Sequence, residues 1–125
     1  MISKYVKNYN DFFGNGDTVP VNIMDHMFKM EICKVPSEGL IGRDIKYDGM
    51  IFQFEKAQPL SFHTKGCITS IDIVFILNGQ IVKIEENCEP NTPNNFECIK
   101  ADTVLEFPAG TCKKLGIETG LFCNI

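Results

Sequence analysis

Residues 71–85 read Ile-Asp-Ile-Val-Phe-Ile-Leu-Asn-Gly-Gln-Ile-Val-Lys-Ile-Glu. Two runs of branched and aromatic residues flank Asn78-Gly79, a dipeptide that strongly favours a two-residue hairpin turn because both turn positions need positive φ. The register that follows pairs three sets of residues on one face: Leu77 with Gln80, Phe75 with Val82, and Ile73 with Ile84. That face is nearly all apolar and is predicted to belong to the core.

The opposite face of the hairpin carries a carboxylate among aliphatic side chains. The same register places Asp72 across from Glu85, and two like charges directly opposite each other destabilise a strand pair. Three outcomes remain open: the strands splay apart before Asp72, a cation lies beside it, or one carboxyl keeps its proton. Glu106 is similarly a lone carboxylate within an apolar run, Thr103–Phe107. Both residues are therefore site candidates.

The rest of the chain adds short strands separated by turn residues. Strand patterns are predicted within Val19–Cys33 and over 50–55, 103–107 and 121–123, with Pro59 breaking the chain before the hairpin. Short helices are expected to start at Ser37 and to span 111–115. The predicted fold is mainly β: a small barrel-like or sandwich domain of mostly antiparallel strands with two or three short helices.

The N-terminal segment has a different pattern. Apolar residues recur at helical spacing through residues 2–13, and Gly14 to Asp17 form a joint after them. We therefore divide the chain into an amphipathic helix or arm, 1–18, and a single β-rich domain, 19–125. The helix either covers an edge of its own core or contacts a protein partner or a second copy of the chain.

Composition excludes several classes of function. The net charge of −4 argues against a general affinity for nucleic acid or anionic membranes. The sequence has no stretch of about 20 apolar residues and no secretory h-region near its start, so the expected location is the cytoplasm or a virus particle assembled there. Six widely spaced cysteines and two histidines do not match zinc-ligand spacing, and no phosphate-binding glycine motif occurs. We expect no metal and no cofactor.

Two cysteines bracket a loop rich in proline and asparagine. Cys88 and Cys98 stand at its two ends, and the feet of a loop can lie close together. Six free thiols are the default in a reducing compartment, so a disulfide between Cys88 and Cys98 and a pair of free thiols both remain open.

Four blocks in order resemble the family called domain of unknown function one-ninety-two. They are Glu38-Gly-Leu-Ile-Gly-Arg43, Gly49-Met-Ile-Phe-Gln-Phe54, Ile71-Asp-Ile-Val-Phe75 and Val104-Leu-Glu-Phe-Pro-Ala-Gly110, followed by Gly116 and Gly120. The resemblance covers roughly residues 26–122 and implies a compact, barrel-like β domain with short helices and no established activity. It nominates Arg43, Lys65, Asp72 and Glu106, and it implies that Cys88 and Cys98 lie near each other. Relatives often have Trp-Met-Lys-Asn-Thr where this chain has His63-Thr-Lys-Gly-Cys67.

The residues support two hypotheses for the site. Arg43, the one arginine of the chain, is expected to pair with Asp72 or Glu106, either in a functional site or as a structural ion pair. His63, close to Lys65 and Cys67, is either a general base or an ordinary packed histidine.

Two functions follow from these alternatives, and whether the chain is an enzyme stays open. The first is a small non-catalytic binding or protein-interaction module, such as a subunit of a larger assembly. The second is a small enzyme or ligand-binding protein that uses a polar cluster of Arg43, Asp72 and Glu106, with His63 or Lys65 at its mouth.

Overall fold

Residues 17–125 are described by a computed structural model and form one curled, half-barrel sheet of seven strands with one short helix. The helix predicted over residues 2–13 lies outside the described residues. The elements in chain order are β1 (Thr18–Ile23), β2 (His26–Ile32), β3 (Gly49–Phe62), β4 (Ile71–Leu77), β5 (Gln80–Cys88), β6 (Phe96–Pro108), α1 (Thr111–Leu115) and β7 (Cys123–Asn124). The mainly β fold predicted from the sequence is therefore confirmed.

The strand order explains how the sheet curls. It runs β5-β4-β6-β3-β2-β1-β7, and every neighbouring pair is antiparallel except β2 and β3. The chain just before β7 returns to the start of β5, where Gln80 bridges Phe122 and the Ile81 N–H donates to the Leu121 carbonyl at 2.9 Å. The two ends of the strand order are thus joined by three backbone hydrogen bonds between residues 79–81 and 120–123.

The central hairpin forms as predicted at its turn but not along its length. Asn78 and Gly79 both have positive φ, 51° and 79°, and Leu77 pairs with Gln80. A bulge then shifts the register, so that Phe75 faces Lys83 rather than Val82. The predicted register beyond Ile76 is therefore wrong, and Val82 is 41% exposed instead of lying in the core.

The second helix predicted from the sequence is absent. Residues 36–42 form successive turns, and Gly39 and Gly42 have φ values of 44° and 70°, which suit left-handed turn positions and not a helix. The helix at Thr111–Leu115 is confirmed, with Gly116 as its left-handed C-cap. The expectation of two or three helices is corrected to one within residues 17–125.

Irregular pairing lets the two longest strands bend. β3 and β6 pair from Met50–Glu106 to Phe62–Phe96, with register shifts on either side of Gln58. Pro59, expected to break the chain, lies inside β3 next to one of these shifts. The bent half of β3 and β6 packs over one face of the sheet.

Both faces of the sheet are packed as a result. Met50, Phe52, Ile73 and Phe75 belong to the core on the first face, together with Leu60 from the bent half of β3. The opposite face has its own core, built around the residues that alternate with them: Met30, Ile51, Val74, Leu105 and Phe107. A side chain in the middle of the sheet is therefore buried whichever way it points.

Candidate functional site

Glu106 is a buried carboxyl that faces a small cavity. It pairs across the sheet with Met50 and Ile73, so its side chain lies on the first face of the sheet. The residue is 4% exposed, and no hydrogen bond or ion pair joins its carboxyl to any residue of the described chain. Burial raises the pKa of Glu106 to about 8, so the carboxyl keeps its proton at neutral pH.

Gly49 permits the close backbone contact that positions Glu106. A Cβ atom at Gly49 would lie 2.3 Å from the Glu106 carbonyl oxygen and 2.8 Å from Cε of Met30. No side chain fits there without moving the backbone of β6. The start of β3 can therefore pack against the segment of β6 that carries the carboxyl.

The cavity at Glu106 is covered by the connection between β2 and β3. We call this space the Glu106 cavity; its volume is about 20 Å³, and the residues around it are Pro36 to Ile41, Phe52, Phe62, His63, Cys67 and Glu106. Gly39 packs over the ring of Phe52, where an added Cβ would lie 3.4 Å from Cζ. A volume of this size holds one water-sized group.

A larger opening adjoins this cavity and shares Glu38 and Gly39 with it. We call it the Arg43 cleft; its volume is about 230 Å³, and it is lined by Glu31, Ile32, Cys33, Val35, Glu38, Gly39, Arg43, Lys46 and Met50. The two spaces have Glu38 and Gly39 in common; most of the charged side chains line the larger one, and two phenylalanine rings line the smaller one.

Arg43 forms its ion pair with a carboxylate that the sequence did not nominate. Its Nη2 donates to Oε1 of Glu31 at 2.6 Å, and the side chains of Arg43 and Glu31 are 34% and 4% exposed. The pairing expected with Asp72 or Glu106 is thus replaced by one with Glu31. Glu31 and Glu106 lie in the same row of the sheet with Met50 between them, so both point to the first face. Only Glu31 of the two has a cation partner among the described residues.

Asp72 lies on the other side of the sheet. Its carboxylate accepts three backbone hydrogen bonds, from the Asn87 N–H at 2.8 Å, the Gly110 N–H at 3.1 Å and the Cys112 N–H at 3.0 Å. These bonds tie β4 to the end of β5 and to the first turn of α1. Asp72 is thereby a fully partnered structural carboxylate, and it does not join Arg43 or Glu106.

His63 and Cys67 line the Glu106 cavity, but no hydrogen bond joins them in the described structure. Nδ1 of His63 accepts the Lys65 N–H at 3.2 Å, and burial is the largest cause that lowers the pKa of His63, with the charge of Lys65 a smaller one. Burial, and then the carboxyl of Glu106, raises the pKa of the Cys67 thiol. The site therefore contains a neutral imidazole and a protonated thiol near neutral pH.

The remaining candidates lie outside the cavity. The side chain of Lys65 is exposed on the turn between β3 and β4. Cys88 and Cys98 belong to the same core cluster but are free thiols, which donate to the separate carbonyls of Glu85 and Lys100. Of the predicted polar cluster, the structure brings together Glu106 and His63, with Arg43 at the neighbouring cleft.

Glu31 and Cys33 line the Arg43 cleft but were not among the residues nominated from the sequence. Glu31 points away from Met30, as strand alternation requires, and the face of the sheet that it reaches is covered by the bent half of β3 and β6. The sequence does contain one sign that both faces are buried at the end of β2. Two apolar residues, Ile32 and Cys33, follow Glu31 directly, and a strand buried on both faces loses the alternation of polar and apolar residues.

Two solved structures share this fold. One is a crystal structure described as a "putative transcription regulator" from Sinorhizobium meliloti, with a TM-score of 0.76 and 28% identity; the match covers 86% of this chain and 92% of that one. The other is a protein of unknown function from Novosphingobium aromaticivorans, with a TM-score of 0.80 and 24% identity, covering 86% of this chain and 85% of that one. Because the second structure is only 24% identical to this chain, its similarity is evidence of a shared fold alone.

The family comparison covers most of the chain. The model of the family DUF192, described as "Uncharacterized ACR", matches residues 19–124. No curated protein matches the sequence. Within residues 17–125, no helix has the length and hydrophobicity of a membrane span, and no three His, Cys, Asp or Glu side chains are grouped as metal ligands.

Proposed function

The chain belongs to the DUF192 family, and we propose that it is a non-catalytic module that binds a small molecule in the Glu106 cavity and the adjoining Arg43 cleft. The single observation that supports this proposal is the unpartnered carboxyl of Glu106. Its neighbours in the fold show the contrast: Asp72 accepts three N–H groups and Glu31 pairs with Arg43.

A buried carboxyl without a partner is costly to the folded state. Burial raises the pKa of Glu106, so ionising this carboxyl in the folded protein costs free energy, although the side-chain atoms that are both fully buried and without a hydrogen bond in residues 17–125 are Asn22 Oδ1 and Gln53 Oε1 and not those of Glu106. Costs of this kind are common where a protein must recognise another molecule. A ligand that supplies the missing hydrogen-bond partner would recover part of that free energy on binding.

Binding is better supported than catalysis by the groups present. Burial raises the pKa of Cys33 to about 12 and also raises the pKa of Cys67, so neither thiol near the site is an activated nucleophile. His63 lies at the cavity without a hydrogen bond to Cys67, and the described site has no nucleophile paired with a base. Recognition needs only shape and a few fixed polar groups, which the site has.

A thermal-shift screen of small molecules tests this proposal. The wild type is compared with Glu106→Gln, which keeps the shape and removes the acid, and with Glu118→Gln, which makes the same change at an exposed position. We expect compounds that raise the melting temperature of wild type and Glu118→Gln by several degrees and lose that effect in Glu106→Gln. Stabilising compounds whose shifts are equal in all three proteins would contradict the proposed site.

We propose separately that residues 2–13 contact a protein partner or a second copy of the chain. Their apolar residues at helical spacing support this, as does the place where they join the fold: the Asp17 carbonyl accepts the Ile32 N–H at 2.8 Å, beside the Arg43 cleft. Light scattering of the full chain and of a chain beginning at Asp17 is the test for self-association. A monomeric full chain at high concentration would contradict the second-copy version. The cytoplasmic location stays a prediction.

A further inference from the structure

We infer that two copies of the chain associate through the free edge of β6 and the apolar groove beside it. This surface is separate from the proposed ligand site, because it shares no lining residue with the Glu106 cavity or the Arg43 cleft. It is formed by residues 97–101, the part of β6 that extends beyond its pairing with β4.

The bent half of β6 has a neighbouring strand on one side only. Residues 96–101 pair with β3, whereas the pairing of β6 with β4 stops at Thr103, and no other strand of residues 17–125 takes its place. On the open side, the Glu97 carbonyl accepts a hydrogen bond from Nζ of Lys83. The backbone N–H of Glu97 points to the same side as its carbonyl, because the two groups of one strand residue share an edge. This stretch is therefore an edge that can pair with another strand.

An apolar groove runs beside this edge. We call it the Ile99 groove; its volume is about 720 Å³, and the residues that line it include Pro59, Leu60, Leu77, Val82, Cys98 and Ile99. Ile99 is 91% exposed and Val82 is 41% exposed. A free strand edge next to an apolar groove suits an added β-strand, whose backbone pairs with the edge while its side chains contact the groove.

The edge is complementary to a second copy of itself. Glu97 and Lys100 carry opposite charges three residues apart. When an antiparallel copy pairs with Ile99 opposite Ile99 of the second copy, each Lys100 comes within one position of the other copy's Glu97. Two edges whose charges were all of one sign would repel each other in this arrangement.

The apolar side chain at the centre of the edge also favours a second copy. In the same antiparallel arrangement, the two Ile99 side chains cover each other and each copy lies against the Ile99 groove of the other. The arrangement has two-fold symmetry, which is the commonest symmetry of protein dimers and closes the association at two copies. Nζ of Lys83, at the groove, is already paired with Glu85 at 3.2 Å and adds no unpaired charge.

Sedimentation of the full chain over a range of concentrations is the test. At millimolar concentration we expect a particle of twice the chain mass of 14.1 kDa, which dissociates on dilution. Ile99→Asp places two carboxylates opposite each other and should raise the dissociation constant about tenfold or more. Ile68→Asp makes the same change at an exposed isoleucine outside the groove and should leave the dissociation constant unchanged.

A second pair of variants tests whether the strand edges pair. Glu97→Pro removes the N–H on the open side of β6, where proline is tolerated because the pairing with β3 does not use that group. It should also raise the dissociation constant about tenfold or more. Glu97→Gln keeps the N–H and should change the constant by no more than about threefold. Circular dichroism and the melting temperature check that each variant folds.

The outcomes distinguish this surface from other modes of association. A full chain that is monomeric at millimolar concentration would overturn the inference and leave the groove to another occupant, such as an extended peptide. A dimer that Ile99→Asp does not weaken would also overturn it, and would favour the contact through residues 2–13. A dimer lost in Ile99→Asp but kept in Glu97→Pro would contradict the pairing of the strand edges.

Discussion

Asp72 and Glu106 lie on hydrogen-bonded neighbouring strands and point to opposite faces of the sheet. Asp72 pairs with Phe107, whereas Glu106 pairs with Ile73, one position along the same ladder. Three backbone N–H groups satisfy Asp72, and nothing in the described chain satisfies Glu106. Two buried acids that look equivalent in the sequence therefore have different roles: one holds the fold together, and the other faces a cavity.

The first prediction concerns the pH dependence of stability. The ordinary pKa of 4.5 for Glu106 is raised to about 8 by burial, so between these values the folded protein holds a proton that the unfolded chain has released. The contribution of Glu106 to stability is thus fully present below pH 4.5 and is lost as pH rises toward 8, by up to about 1.4 kcal/mol per pH unit.

Glu106→Gln isolates this effect because glutamine stays neutral. We expect the melting temperature of Glu106→Gln to exceed that of wild type at pH 9, and the difference to shrink or reverse at pH 5. Calorimetry at both pH values measures it, with Glu118→Gln as the matched control. Parallel curves for wild type and Glu106→Gln across this range would show that the carboxyl is not buried without a partner.

The second prediction concerns Asp72. Asp72→Ala leaves the N–H groups of Asn87, Gly110 and Cys112 without their acceptor, and we expect a loss of about 3 kcal/mol or more in urea unfolding. Asp44→Ala, at an exposed aspartate, should change stability by no more than about 0.5 kcal/mol. A loss below about 1 kcal/mol for Asp72→Ala would contradict the structural role assigned to its carboxylate.

The third prediction concerns the Arg43–Glu31 pair. Arg43→Ala leaves the buried carboxylate of Glu31 without its cation, and we expect a loss of about 1–3 kcal/mol, less than for a fully buried pair because the arginine is partly exposed. A double-mutant cycle with Glu31→Gln measures the coupling by urea unfolding. The arginine substitution should cost clearly less in the Glu31→Gln background. Equal costs in both backgrounds would mean that the two side chains do not interact in solution.

The fourth prediction concerns the cysteines. All six are free and buried, and burial raises the pKa of Cys33, Cys88 and Cys112 to about 12. We expect very slow reaction of the native protein with a thiol reagent at pH 8, because each unit of raised pKa cuts the thiolate fraction about tenfold. After unfolding without reductant, mass spectrometry should show six labelled thiols. Four labels, with Cys88 and Cys98 protected, would reveal the disulfide that the free-thiol structure lacks.

Local signals in the sequence were sufficient for part of the fold. Asn78-Gly79 fixed the turn of the hairpin because few other dipeptides adopt positive φ twice, and Gly116 marked the end of the helix that begins at Thr111. The bulge beside Val82 could not be foreseen, since it depends on how β5 bends with the curled sheet. Ser37 resembles an N-cap and predicts a helix, whereas the chain forms turns with positive φ at Gly39 and Gly42.

The sequence nominated several residues of the candidate site, but it did not predict which of them contact each other. Apolar neighbours drew attention to Asp72 and Glu106 as carboxylates within apolar strands, and Arg43 was singled out because it is the one arginine of the chain. Which acid meets the arginine depends on the parallel pairing of β2 with β3, which brings Glu31 into the row of Met50. That pairing joins segments separated by a long connection, and no local pattern encodes it.

NMR titration of the Glu106 side-chain carboxyl in the free protein is the decisive measurement for the proposed site. We expect a pKa near 8, because the acid is buried and no hydrogen bond or ion pair in the described structure stabilises its charged form. A pKa near the ordinary 4.5 would mean that water or a neighbouring group already satisfies the carboxyl, and it would contradict the proposed binding site.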